Sequence, residues 1–101
     1  MPIQVIWDDD AHTRIRYDFT GEWNWTDYRA AVQEAYDLMR SVNHQVDTIA
    51  NFKASPRLPG GALQQVKRAL AEAPDNVGEL YIAHGSPFVN TITATFGRVY
   101  T

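Results

Sequence analysis

The sequence contains no cysteine among its 101 residues. That absence removes thiol nucleophiles, Cys-ligated zinc and disulfides at once, and it agrees with a reducing compartment. Clusters of positive charge are missing too: nine Lys and Arg are scattered among twelve Asp and Glu, for a formal net charge of -3 at pH 7. Such a chain repels a phosphate backbone on average, so nucleic acid is not an expected partner. No apolar run approaches the ~20 residues that span a bilayer. The start, Met1-Pro2-Ile3-Gln4-Val5, lacks the basic and apolar regions of a secretory signal, which makes the cytoplasm the expected location. There is no internal repeat, linker or low-complexity stretch.

What is present points to one folded unit. Hydrophobic residues make up 45% of the chain, aromatic ones 12% and charged ones 21%, a composition that argues against disorder over any long stretch. The length suits a single domain over residues 1–101, with enough chain to bury one core.

Hydrophobic periodicity divides the chain into alternating elements. Ile3 to Trp7 and Ile15 to Phe19 alternate apolar and polar on either side of Asp8-Asp9-Asp10-Ala11-His12, the pattern of an antiparallel hairpin with a polar turn. Tyr28, Ala31, Val32, Ala35, Met39 and Val42 then follow helical spacing, with Thr26 placed to cap the start and Asp27 in the first turn. Val46 to Phe52 is a β-rich run without clean alternation, as expected of a strand covered on both faces. After the loop Lys53–Gly61, Leu63, Val66, Leu70 and Ala73 define the inward side of a second helix, stopped by Pro74. Val77 to Ala83 reads as a fourth strand and Ser86-Pro87 as the start of a third helix, with Phe88, Ile92, Phe96 and Val99/Tyr100 on one face; Thr91, Thr93 and Thr95 alternate like a strand, the alternative for this stretch. The expected fold is α/β in the order β-β-α-β-α-β-α, a four-stranded mixed sheet with helices packed on it. Its later strands are parallel because helices separate them.

This order, with three stretches of residues, resembles the SpoIIAA-like group of the STAS superfamily. The first stretch is Val46-Asp47-Thr48-Ile49-Ala50-Asn51-Phe52 running into Leu58-Pro59-Gly60-Gly61-Ala62-Leu63. The second is Val77-Gly78-Glu79-Leu80-Tyr81-Ile82 followed by Gly85-Ser86-Pro87-Phe88-Val89. The third is Phe19-Thr20-Gly21 leading to Trp25-Thr26-Asp27-Tyr28. Together they cover most of the chain. The resemblance implies a non-enzymatic domain that binds protein partners or small ligands. It also implies a phosphorylatable Ser or Thr at the start of the helix after the third strand, but here Pro59, Gly60, Gly61 and Ala62 offer no hydroxyl. Such domains continue into a final strand and helix. Up to Thr101 the sequence carries no such pair, so the sheet is expected to be one strand short, with an edge or helix face that a second copy could cover.

In open α/β sheets ligands favour the crevice beyond the carboxyl ends of the parallel strands. That rule selects Asn51, Lys53, Ser55 and Arg57 after the third strand, and His84, Gly85 and Ser86 after the fourth. Gly60 and Gly61 add backbone N–H groups at a helix start, where an anion is favoured. Trp23, Trp25 and Tyr28 gather where the hairpin enters the first helix, and either close the core or form a pocket or hot spot. Trp23 and Trp25, with Phe88, Ile92, Phe96 and Tyr100, make the expected interface. Two chemical readings carry less weight. His84 and Ser86 lack the elbow that presents a nucleophilic serine. Asp8, Asp9, Asp10 and His12 lack the spacing of a calcium loop, and His12, His44 and His84 lack that of a zinc site. No catalytic residue, metal or cofactor is therefore assigned. The expected function is a regulatory interaction module, binding a protein partner and self-associating as a homodimer. The alternative is a carrier or sensor of a small anionic or lipid-like ligand beyond the strand ends, and a small hydrolase is a distant third.

Overall fold

The structure, a computed structural model, describes residues 2–55 and 59–84. Its elements are β1 (Ile3–Trp7), β2 (Arg14–Thr20), α1 (Trp25–Arg40), β3 (Val46–Ala54), α2 (Ala62–Ala71) and β4 (Val77–Ala83). The sheet runs β1-β2-β3-β4. β1 is antiparallel to β2, and β3 is parallel to both of its neighbours. The chain is therefore α/β with a four-stranded mixed sheet and, among the described residues, two helices. The third helix expected from Ser86-Pro87 onwards lies outside the described residues.

Period-two alternation sets the sheet's two faces. Ile3 and Val5 of β1 lie across from Phe19 and Tyr17 of β2, and all four are buried. The register carries this row on to Ala50 of β3 and Ile82 of β4. α1 supplies Ala31, Val32, Ala35, Tyr36 and Met39 to the same core, and α2 supplies Ala69, so both helices cover one face. The opposite face holds a ladder of charge: Arg16 reaches Asp8 at 2.8 Å and Asp18 at 3.0 Å, and Asn51 donates to Asp18 at 3.0 Å.

The acidic turn is held by its own carboxylates. Asp9 accepts the Thr13 backbone N–H at 2.8 Å and the Arg14 N–H at 3.1 Å, and also takes the Thr13 hydroxyl. His12 adopts a left-handed conformation, φ 57°, and stacks on Trp7 with ring centroids 4.3 Å apart.

Three local expectations need correction. α1 begins two residues earlier than a Thr26 cap would place it. Asn24 is the N-cap and accepts the Asp27 N–H, while the Asp27 side chain accepts the Asn24 N–H, a reciprocal capping box. The Asn24 amide, not the Thr26 hydroxyl two positions on, therefore caps the helix. β3 alternates after all: Val46, Thr48, Ala50 and Phe52 are buried, and Asp47, Ile49 and Asn51 between them are half-buried. In α2 the stripe turns differently from the expected one. Ala62 and Ala69 are buried, whereas Leu63 is 51% and Leu70 41% exposed. Small alanines let α2 approach the sheet and α1, which leaves Leu63 outside and Leu70 only partly covered at the edge of the space between them. Where β4 starts, a Cβ on Gly78 would collide with the Asp47 carboxylate and the Gln45 side chain, so this close approach requires glycine.

Candidate functional site

Between the sheet and the two helices lies a cavity of about 130 Å³. Small residues create it. Ala50 stands in register between Tyr17 and Ile82, and Gly78 and Ala69 also border the space, so the layer above the middle of the sheet is not filled by side chains. Aromatic residues close one end. Phe19 stacks on Phe52 at 4.5 Å and meets Trp23 at 4.9 Å; Trp23 meets Trp25 edge-on at 5.0 Å, and Trp25 meets Tyr28 at 5.2 Å. The arrangement is rigid because both indole N–H groups are tied. Trp23 donates to the Ser55 hydroxyl at 3.0 Å, Ser55 donates to the Gly21 carbonyl at 2.6 Å, and Trp25 donates to the Gly60 carbonyl at 2.5 Å.

The polar groups bordering the cavity are the Thr48 hydroxyl and three phenols. Tyr17 on β2 and Tyr28 and Tyr36 on α1 all border it. The Tyr36 hydroxyl donates to the Ala69 carbonyl at 2.7 Å, linking α1 to α2. The Tyr17 and Tyr28 hydroxyls have no hydrogen-bond partner among the described residues, although Tyr17 is only 8% exposed. Burial is the main cause that lifts all three phenol pKa values. Tyr17 is raised well above the ordinary tyrosine range, with smaller contributions from Tyr28 and Tyr36; Tyr28 is also raised; and Tyr36 is pushed up to about 12. All three are therefore neutral at physiological pH. No charged side chain lines the cavity among the described residues. Tyr28, Val32 and Ala69 also border a wider groove of about 300 Å³ between α1 and α2, rimmed by Arg29, Arg68 and Glu72.

The residues expected to bind a ligand beyond the strand ends do not converge on this cavity. Ser55 is buried, and its hydroxyl serves Trp23 and Gly21. Asn51 faces the opposite side of the sheet, donating to Asp18 and accepting the Lys53 N–H at 3.1 Å. Lys53 is exposed. Gly60 and Gly61 are exposed at the start of α2, where Gly61 is the N-cap at φ 85° and its carbonyl accepts the Gln65 N–H at 3.2 Å. His84 is exposed at the end of β4 with φ 58°. Arg57 and Ser86 lie outside the described residues, as do Phe88, Ile92, Phe96 and Tyr100 of the expected interface. Of the two indoles, Trp23 is core and so is removed from any surface, and Trp25 is half-buried at the cavity wall.

Of the residues that matter most here, the sequence marks Tyr17 as an inward strand position and Tyr28 as part of the Trp23-Trp25-Tyr28 group, and it does not single out Tyr36. The available signal was a phenol at an inward position of a strand, Ile15-Arg16-Tyr17-Asp18-Phe19, together with two more on the buried side of α1. An inward hydroxyl demands a partner, and such a cluster marks either a polar network or a binding cavity.

Fold and site together define an α/β protein with a mixed four-stranded sheet, whose helices enclose a neutral, aromatic-walled cavity on one face. Compared with protein-family models, with curated proteins and with solved structures, the chain has no significant match.

Proposed function

We propose that the protein is a non-enzymatic regulatory module of STAS-like kind that holds a small ligand between its sheet and its helices. The cavity carries this reading: its wall is braced by tied indoles, yet its centre is left open by Ala50, Ala69 and Gly78. Close packing is the rule in protein interiors, so a void of this size beside two unpaired hydroxyls is not ordinary core. The α/β class with its four-stranded mixed sheet is the feature that the STAS-like part of the reading rests on. Regulation follows from where α2 sits. Val66, Ala69 and Leu70 border the cavity while Leu63 stands exposed on the same helix, so an occupant that shifts α2 changes the surface offered to a partner.

The test is a native mass spectrum of the freshly purified chain beside its denatured mass, followed by tryptophan emission across a panel of small apolar compounds. Extra mass that leaves on denaturation, or an emission change that saturates, is the expected result. A bare protein whose Trp23 and Trp25 emission responds to nothing in the panel overturns the reading. The exposure of Leu63 and Leu70 favours a second reading, in which α2 is itself a docking surface for a protein partner or a second copy. Under that reading Leu63→Lys with Leu70→Lys abolishes association in sedimentation velocity and leaves the fold intact.

A further inference from the structure

The cavity's volume, wall and polar groups narrow its ligand to one chemical class, an inference that rests on the binding function just proposed. Apolar cavities of about 150 Å³ take up a benzene-sized molecule, and the space here is about 130 Å³. A single ring matches that space. The wall offers flat faces: Phe19, Trp23, Trp25 and Phe52 form a continuous edge-and-face cluster with centroid separations between 4.5 and 5.0 Å. An aromatic guest extends that pattern with the same offset and edge-on geometries.

Charge is excluded. No described lining residue is ionic, and a buried ion without a counter-charge is costly enough that it neutralises or stays in water. Polarity is nevertheless required. The Tyr17 and Tyr28 hydroxyls have no partner among the described residues, and Tyr17 is more than nine-tenths buried. Each is a donor and an acceptor held against an apolar background, where an unmade hydrogen bond is expensive. Tyr36 is not available in the same way, because its hydroxyl holds α2 through the Ala69 carbonyl.

We infer that the cavity binds a neutral, single-ring aromatic molecule carrying one small polar group, hydroxyl or carbonyl, that pairs with the hydroxyls of Tyr17 and Tyr28. The ring lies against the Phe19–Trp25 cluster, and the polar group points towards the two phenols. Access runs past Tyr28, which stands between the cavity and the groove that separates α1 from α2.

The experiment is a calorimetric titration of the full chain at neutral pH with three probes of matched size: phenol, toluene and benzoate. Phenol is expected to bind about tenfold more tightly than toluene, the factor a hydrogen bond to a buried partner contributes. Benzoate, an anion at this pH, is expected to bind more weakly than either. The double variant Tyr17→Phe/Tyr28→Phe, its folding checked by thermal melting, should lose about tenfold in phenol affinity while toluene stays within about twofold. Val66→Phe, which fills the space from α2, should abolish both. Toluene or benzoate binding as tightly as phenol, or an undiminished phenol affinity in the double variant, overturns the ligand class. If Val66→Phe still abolishes toluene binding, the cavity remains the binding site and the broader function survives. Binding by none of the probes overturns the ligand class, and the broader function falls with it only if the native mass spectrum is also bare.

Discussion

Ser55 shows how much one small side chain can hold. Its hydroxyl accepts from the Trp23 indole and donates to the Gly21 carbonyl, joining the end of β3 to the turn between β2 and α1. Replacing it by alanine leaves a buried indole N–H and a carbonyl without their partner, which costs about 1–3 kcal/mol. Ser55→Ala should therefore lower the urea midpoint with the slope of the transition unchanged, and it should move the tryptophan emission because Trp23 loses its anchor. Lys53, two residues earlier and exposed, should tolerate alanine within about 0.5 kcal/mol. The contrast separates a structural strut just beyond the end of β3 from a solvated charge within the same strand.

At the scale of elements, the start of α1 offers a direct comparison. Asn24 and Asp27 satisfy each other's backbone N–H groups, so Asn24→Ala should cost about 1 kcal/mol. Thr26→Ala, at the position the sequence suggested as the cap, should cost less than half of that; chemical denaturation of the two variants side by side decides it. Elements with a strong period were legible in the residues. The hairpin alternation and the Ala31–Met39 stripe placed β1, β2 and α1 correctly, and the β-rich run Val77–Ala83 matches β4 residue for residue. α2 was legible as a helix but not in its orientation. Hydrophobicity ranks leucine above alanine, but close approach to a sheet and a neighbouring helix rewards the smaller residue, and Ala62 and Ala69 are the ones buried. The cavity was not legible for a related reason. It is made by what is small at Ala50, Ala69 and Gly78, and three positions far apart in sequence give no common pattern until the fold brings them together. The strand-end residues were found by a rule about parallel sheets, which points beyond the strand ends, whereas this cavity opens on the sheet's face.

At the scale of the whole molecule, three buried phenols set a limit in alkali. In the unfolded chain tyrosine loses its proton near its ordinary value of 10.0, whereas in the folded state burial raises all three and Tyr36 holds its proton up to about 12. The folded state then binds more protons than the unfolded one above pH 10, so stability is fully present below that value and falls as pH rises through it. Thermal melting should show a flat plateau on the neutral side and a decline beginning near pH 10. Phenolate absorbance should appear for these three tyrosines only together with unfolding. Tyr17→Phe should make that decline shallower.

The position of β3 between two parallel neighbours carries a kinetic consequence. The β1–β2 hairpin pairs residues close in sequence and can form within microseconds. Each partner of β3, in contrast, lies roughly thirty residues away along the chain, as in Arg14 with Asp47 and Val46 with Val77, so the strand can dock only after long loops close. Insertion of β3 is then the step that limits folding. Ala50→Gly, at the middle of β3, should slow refolding, whereas Leu63→Ala on the outer side of α2 should leave both chevron arms nearly unmoved. The strand that floors the cavity thus also sets the pace at which the protein is made, and the residue kept small there is constrained by assembly as well as by what it leaves open.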